Sequence, residues 1–202
     1  MKTYEYAGTP LSEARSHPWQ GSALDPEARY LDFTASPELI RSSLEDFKPF
    51  GKYPAIEEFY ALLERINHPQ SLLESNDCAF IGPRPNETEQ VVATHECSGR
   101  LMLLYRDLEQ NTRKTPMSWL KTALHVQLAH LDPKFTLGMI GTTVVPVRFL
   151  ALPPDSQLGE QLILSFWAFG DSEGSAMNSL ARLFKNLTQA IRAVSARMVE
   201  GQ

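Results

Sequence analysis

A long apolar stripe near the C-terminus constrains the fold of this chain more than any other feature. Its side chains recur at intervals of three and four residues: Ala176, Leu180, Leu183, Leu187, Ile191, Val194 and Met198. This spacing predicts one helix with a single apolar face, capped by Asp171 or Ser172 after Gly170. So long a face needs a broad apolar surface to pack against, and the strands of a sheet can supply it.

Four segments have the alternation or the apolar content of β-strands. They are residues 74–82, 91–106, 139–152 and 161–169. Consecutive segments are predicted to pair as two hairpins, the first turning near Asn86 and the second near Asp155. Pro146 cannot donate a ladder hydrogen bond, so we expect it at a sheet edge or at a bulge.

Helical patterns flank these strands. One helix is predicted to begin at Ser36 and to run to about Phe47, and a second carries apolar residues on one face from Ile56 to Ile66. A third follows Thr115 and ends at Asp132, between the two hairpins. The fold class is therefore predicted to be α+β. We expect an antiparallel sheet of about four strands in the order β-β-α-β-β-α, with helices packed on it and two N-terminal helices before it.

The first 34 residues have no clear periodicity and contain several prolines and glycines. We predict that residues 1–34 form an irregular arm and that residues 35–202 form a single α+β domain. The chain has no run of about 18 apolar residues and no apolar core typical of a signal peptide near Met1. We therefore expect a cytoplasmic protein.

Charge is unevenly distributed along the chain. The formal net charge is −5, but residues 1–77 contain 13 acidic and 7 basic residues, whereas residues 78–202 contain 11 and 12. An acidic half argues against nucleic acid as the main partner and favours a basic protein. The candidate partner-binding residues are the acids of the two N-terminal helices: Glu38, Glu45, Asp46, Glu57, Glu58 and Glu64.

The two cysteines, Cys78 and Cys97, are too few for a disulfide framework and are expected to be buried thiols. If the first hairpin turns at residues 86–87, Cys78 lies opposite Glu96. Cys97 then lies on the other face of the sheet, because neighbouring residues of a strand alternate.

The main alternative to a protein that binds a basic partner is an enzyme. Its reacting groups would be Glu74, Asp77, His95 or Cys97. Glu74 and Asp77 could act as an acid–base pair, although short polar side chains are also common where a strand begins. His95 and Cys97 share one face of a strand and could contact one metal ion or one substrate, as in a metal-dependent hydrolase. His125 and His130 are five residues apart and so face different sides of a helix. No phosphate-binding loop, nucleophile elbow or zinc-binding helix motif is present, and we expect neither cofactor nor metal.

Two short motifs resemble a family of bacterial immunity proteins. They are Gly99-Arg100 at the start of an apolar strand and the turn Phe166-Trp167-Ala168-Phe169-Gly170-Asp171. The similarity spans about residues 70–195. Proteins of this family are encoded beside polymorphic toxins, including nuclease toxins of the restriction-endonuclease type delivered by type VI secretion. The resemblance implies an α+β fold, a cytoplasmic location, no catalysis and tight binding to one cognate toxin, but it assigns no binding residues. An adaptor subunit of a secretion or phage-derived assembly is a third possibility.

Overall fold

The computed structural model describes residues 1–5, 14–19, 30–88 and 91–200. These residues form an α+β arrangement of one six-stranded sheet and five α-helices. The strands are β1 (Lys2–Glu5), β2 (Arg15–His17), β3 (Leu73–Pro85), β4 (His95–Tyr105), β5 (Gly138–Phe149) and β6 (Leu158–Gly170). The helices are α1 (Leu39–Ser43), α2 (Pro54–Ile66), α3 (Leu108–Asn111), α4 (Lys114–Leu131) and α5 (Glu173–Glu200), with 3-10 turns at Lys48–Phe50 and Pro154–Ser156.

The centre of the sheet is the predicted pair of hairpins. Strands β5, β6, β4 and β3 lie side by side in that order, and each neighbouring pair is antiparallel. The expectation of about four strands is nevertheless wrong, because β1 and β2 both pair in parallel with the outer edge of β5. Pro146 lies between the stretch of β5 that pairs with β1 and the stretch that pairs with β2, where its missing N–H breaks no pairing with either strand.

Within the predicted N-terminal arm, Lys2–Glu5 and Arg15–His17 form strands, whereas residues 30–34 form neither a strand nor a helix. β1 has four residues and β2 has three, too few to produce a recognisable alternation in the sequence. Their backbone groups satisfy an edge of β5 that would otherwise be exposed. The other parts of the predicted arm, residues 6–13 and 20–29, lie outside the described residues.

The expectation that two helices precede the sheet is also wrong, since β1 and β2 come first in the chain. The helix predicted to run from Ser36 to Phe47 is only Leu39–Ser43, because the backbone leaves the helical region at Leu44. The second helix, α2, agrees with its apolar pattern, and Ile56, Phe59 and Ile66 are fully buried.

One face of the sheet packs against α2, α4 and α5. The rings of Phe59 in α2, Phe166 in β6 and Phe184 in α5 form its centre, with Phe184 4.9 Å from Phe59 and 5.0 Å from Phe166 between centroids. The predicted stripe of α5 is confirmed, since its residues from Ala176 to Val194 are at most 2% exposed. The long helix is therefore held by the sheet that its pattern required.

The register of the first hairpin differs from the prediction. Cys78 pairs with Leu101 instead of Glu96, because β3 continues to Pro85 and is shifted by irregularities between Ser75 and Asp77 and between Ile81 and Arg84. Cys97 lies four residues from Leu101 in β4, so both cysteines face the helices. The expectation that Cys97 lies on the opposite face is wrong.

The face of the sheet opposite the helices carries a small apolar cluster of Leu104, Val147 and Phe149, together with several polar side chains. No helix within the described ranges is long and apolar enough to cross a membrane.

Candidate functional site

The acidic residues predicted to bind a partner lie along α1, α2 and the turns between them. Glu38 precedes α1, Glu45 and Asp46 follow it, and Glu57, Glu58 and Glu64 lie on α2. Each is exposed or half-buried. We call these six residues the α1–α2 acidic surface.

Arg41 organises the centre of this surface. Its Nη1 donates to Oε2 of Glu57 at 2.8 Å, and its Nε donates to Oε1 of Glu64 at 2.7 Å. The guanidinium carbon also lies 5.4 Å from the centre of the Tyr60 ring. The hydrogen bonds to Glu64 and then to Glu57 raise the pKa of Arg41 further above its ordinary value. One cation thus holds two carboxylates, and the three groups together keep a charge of −1.

The other four acids of the surface differ in whether a cation pairs with them. Lys48 pairs with Glu45, and Lys185 of α5 lies 3.4 Å from Glu58. Glu38 and Asp46 form no ion pair with another side chain in the described ranges. Local cations therefore balance much of the charge that the sequence places here, so this surface exerts a weaker long-range field than its six acids would alone.

A second cluster lies on the face of the sheet opposite the helices and includes Glu74, but no local sequence pattern predicts that its members meet. Nδ1 of His17 lies 2.6 Å from Oδ1 of Asn76, and Nε2 of His17 lies 3.2 Å from Oε1 of Glu74. Nδ2 of Asn76 donates to Oε1 of Gln161 at 2.7 Å. His17, Asn76 and Gln161 are each at most 6% exposed. We call these four residues the His17 cluster.

Neighbouring groups enclose the His17 cluster. The Tyr30 ring lies 5.2 Å from the His17 ring, and burial, followed by the charges of Glu74 and Asp32, raises the pKa of Tyr30.

Beside the cluster, Asp77 accepts hydrogen bonds of 2.9 Å from both Arg15 and Arg100. These contacts join β2 to β3, the outermost strands on opposite sides of the sheet, so the sheet must curl toward this face. The cluster is a buried structural network rather than an open site.

The two acids of the enzyme alternative, Glu74 and Asp77, do not meet its His95 and Cys97. Glu74 belongs to the His17 cluster and Asp77 binds two arginines, whereas His95 contacts the Thr94 hydroxyl at the other end of β4. Glu74 pairs with Leu104, which is about 23 Å along the strand from Cys97 at 3.3 Å per residue.

The local surroundings of Cys97 are also unsuited to nucleophilic chemistry. Cys97 is fully buried, with its sulfur 3.5 Å from that of Met177. Burial, followed by the charges of Glu96 and Glu173, raises the pKa of its thiol to about 12. The reactive species would be the thiolate, which is scarce at neutral pH under these conditions.

The histidines of α4 serve separate contacts. Nε2 of His125 lies 3.2 Å from the Thr3 hydroxyl, and Nδ1 of His130 lies 2.7 Å from the Val126 carbonyl oxygen. No group of three or more histidine, cysteine or acidic side chains within the described ranges is arranged to hold a metal ion.

Both residues of the Gly99-Arg100 motif have structural roles. A Cβ atom on Gly99 would lie 2.3 Å from the Ala79 carbonyl oxygen and 2.5 Å from the Phe166 ring, so only glycine fits between β3 and this ring. Arg100 binds Asp77.

Comparison of the chain with models of protein families, with curated proteins and with solved structures finds no match.

Proposed function

We propose that this protein is an immunity protein that binds a cognate bacterial toxin, a basic nuclease effector, and neutralises it by covering its active or substrate-binding surface. The observation that carries the proposal is the arrangement of Glu57 and Glu64 around Arg41 on an exposed helical surface. Binding of a partner needs neither a cofactor nor an assembled catalytic site, and the two motifs described above resemble those of immunity proteins.

The Arg41 contacts prepare two carboxylates for binding. A free glutamate side chain loses up to about 2 kcal/mol of rotamer entropy when it is ordered. Glu57 and Glu64 are already ordered by Arg41, which contacts only one oxygen of each carboxylate. A lysine or arginine of the partner can then meet a remaining oxygen with little further ordering, and this pre-organisation favours affinity.

The support behind these side chains is rigid. The rings of Phe47 and Phe59 stack at 4.5 Å beneath the surface, and both are at most 1% exposed. A nuclease needs positive charge where it holds the phosphates of its substrate. A fixed pair of carboxylates at the surface of an inhibitor is suited to cover such a region.

The ion pairs also rank the six acids. Glu57 and Glu64 should contribute most to affinity because they are ordered and retain net negative charge. Glu38 and Asp46 should mainly speed encounter, since no described cation balances them. Glu45 and Glu58 should contribute least because Lys48 and Lys185 neutralise them.

The test uses the product of the neighbouring gene as the candidate toxin. Co-expression of this chain should restore growth to cells that produce the toxin, and the purified proteins should form a complex. Glu57→Gln combined with Glu64→Gln should weaken the complex at least about tenfold, because two charge-assisted contacts are lost. Glu109→Gln, at an exposed position on α3, is the matched control and should leave affinity unchanged.

The possible results separate the function from the surface. If wild-type protein neither binds the neighbouring product nor restores growth, the proposed function is wrong. If wild type binds but the double variant binds equally well, the function stands and the α1–α2 acidic surface is not the interface.

A further inference from the structure

A groove of about 760 Å³ runs between the C-terminal halves of α2 and α5. Arg65 and His68 line it on the α2 side, and Arg192 lines it on the α5 side. These three side chains are exposed, so the groove is open to solvent between the two helices. It is separate from the His17 cluster, which lies on the opposite face of the sheet.

The groove is positively charged although the chain as a whole is acidic. Arg65 and Arg192 form no ion pair with another side chain in the described part of the chain. Glu64 is the one acidic residue among the lining residues, and its carboxylate is engaged by Arg41. Two cations are thus left without a local partner in a protein whose net charge is −5.

Arg106 compensates the partial negative charge at the C-terminal end of α2, beside the groove. Its Nη2 donates to the carbonyl oxygens of Asn67 at 3.1 Å and His68 at 2.8 Å, just beyond the end of α2. The C-terminal end of a helix carries a partial negative charge, and a guanidinium at that position compensates it. The field in the groove is therefore dominated by Arg65 and Arg192.

We infer that this groove binds an extended acidic segment of a partner protein. A small ligand would remain largely exposed in so open a groove, whereas most small-molecule sites enclose their ligand. An extended chain can instead lie between the helices, with carboxylates on Arg65 and Arg192. Ala61 also lines the groove and is exposed, so it provides an apolar contact for an aliphatic side chain between the carboxylates.

This inference does not rest on the proposed function. The α1–α2 acidic surface attracts cations, whereas the groove attracts anions, and the two use different side chains apart from Glu64. Each can therefore fail without the other.

The experiment measures binding of a short fluorescein-labelled peptide of glutamate, leucine and glycine to the full chain by fluorescence anisotropy. We expect salt-dependent binding that weakens at least about tenfold in the double variant Arg65→Gln/Arg192→Gln, because two charge-assisted contacts are lost. Arg113→Gln is the matched control, since Arg113 is exposed and forms no described ion pair. It should bind the peptide as wild type does.

Three results would overturn the inference. The first is that wild type shows no detectable binding of the peptide at a protein concentration of about 1 mM. The second is equal binding by wild type and the double variant. The third is equal affinity for inorganic pyrophosphate or for a peptide in which lysine replaces glutamate. Matching circular dichroism spectra and melting temperatures would establish that the double variant is folded.

Discussion

Nε2 of His17 lies 3.2 Å from Oε1 of Glu74, and this contact joins the two outermost strands of the sheet. Both side chains are nearly buried, with 7% and 13% of their surface exposed. The other ring nitrogen of His17 contacts Asn76. A short strand near the N-terminus is thus tied to the far edge of the sheet through the His17 imidazole, in addition to the ion pair of Arg15 with Asp77.

Replacement of His17 with alanine should therefore destabilise the protein. The change removes the His17 contacts of the Glu74 carboxylate and of Oδ1 of Asn76 in a buried region, and we expect a loss of about 2–4 kcal/mol. Urea denaturation at neutral pH measures it. His130→Ala is the control, because His130 is exposed on α4 and its Nδ1 contacts a backbone carbonyl of the same helix. Equal effects of the two changes would contradict the structural role of the His17 cluster.

Arg41→Met should separate two contributions to partner binding. Loss of the cation makes the α1–α2 acidic surface more negative, so association with a basic toxin should become faster at low salt. Glu57 and Glu64 also lose their fixed positions, so dissociation should accelerate by a larger factor. Stopped-flow and surface plasmon resonance measurements over a range of salt concentrations test both effects. A slower association rate would show that Arg41 itself contacts the toxin.

The carboxylate of Asp132 should stabilise the folded protein at neutral pH, and this contribution should be lost in acid. Its carboxylate accepts hydrogen bonds from Nε of Arg182 at 2.7 Å and Nη2 of Arg182 at 2.9 Å. These bonds, assisted by one from Asn186, lower the pKa of Asp132 below its ordinary value. A lowered folded-state pKa stabilises the folded protein above the unfolded-state pKa of about 3.9, and this contribution is lost as the pH falls through the folded-state pKa.

Asp132→Asn tests this linkage. The variant should be less stable than wild type at about pH 7, and the difference should shrink steadily below about pH 4. Urea denaturation across this pH range provides the comparison. A difference that stays constant into acid would mean that the charge of Asp132 does not contribute.

Gly99→Ala should cost stability because the added Cβ atom would clash with Ala79 and Phe166. We expect a loss of about 2 kcal/mol or more, typical of overpacking beside a backbone group. Gly174→Ala is the matched control, since a Cβ atom on Gly174 would contact nothing within 4 Å and the residue lies in the first turn of α5. It should be neutral or slightly stabilising, because alanine is the better helix former. Thermal denaturation of both variants decides, and a stable Gly99→Ala variant would refute the steric argument.

Cys97 should be unreactive in the folded protein. Its thiol is buried and its pKa is raised to about 12, so iodoacetamide at about pH 8 should modify it only after unfolding. Mass spectrometry with and without denaturant measures the modification. Rapid modification of the folded protein would instead reopen the enzyme alternative for His95 and Cys97.

The elements with repeated local patterns were predictable from the sequence. The apolar stripe of α5 and the strands of the two hairpins each contain enough residues for their period to be recognised. The surface acids of α2 were predictable for the same reason, since they occupy the positions opposite its apolar stripe. Periodicity decides which side of an element is buried because burial of apolar surface is the main driving force of folding.

Tertiary structure alone decided which distant residues meet. β1 and β2 are too short to show a period, and their pairing depends on an edge of β5 more than 120 residues away along the chain. The position of Cys78 opposite Leu101 depends on strand irregularities that no repeating pattern records. Likewise, Arg41 binds acids 16 and 23 residues away, and His17 meets Asn76 across 59 residues. Such contacts depend on long-range geometry, whereas the sequence by itself determined the helices and strands whose periodicity is local.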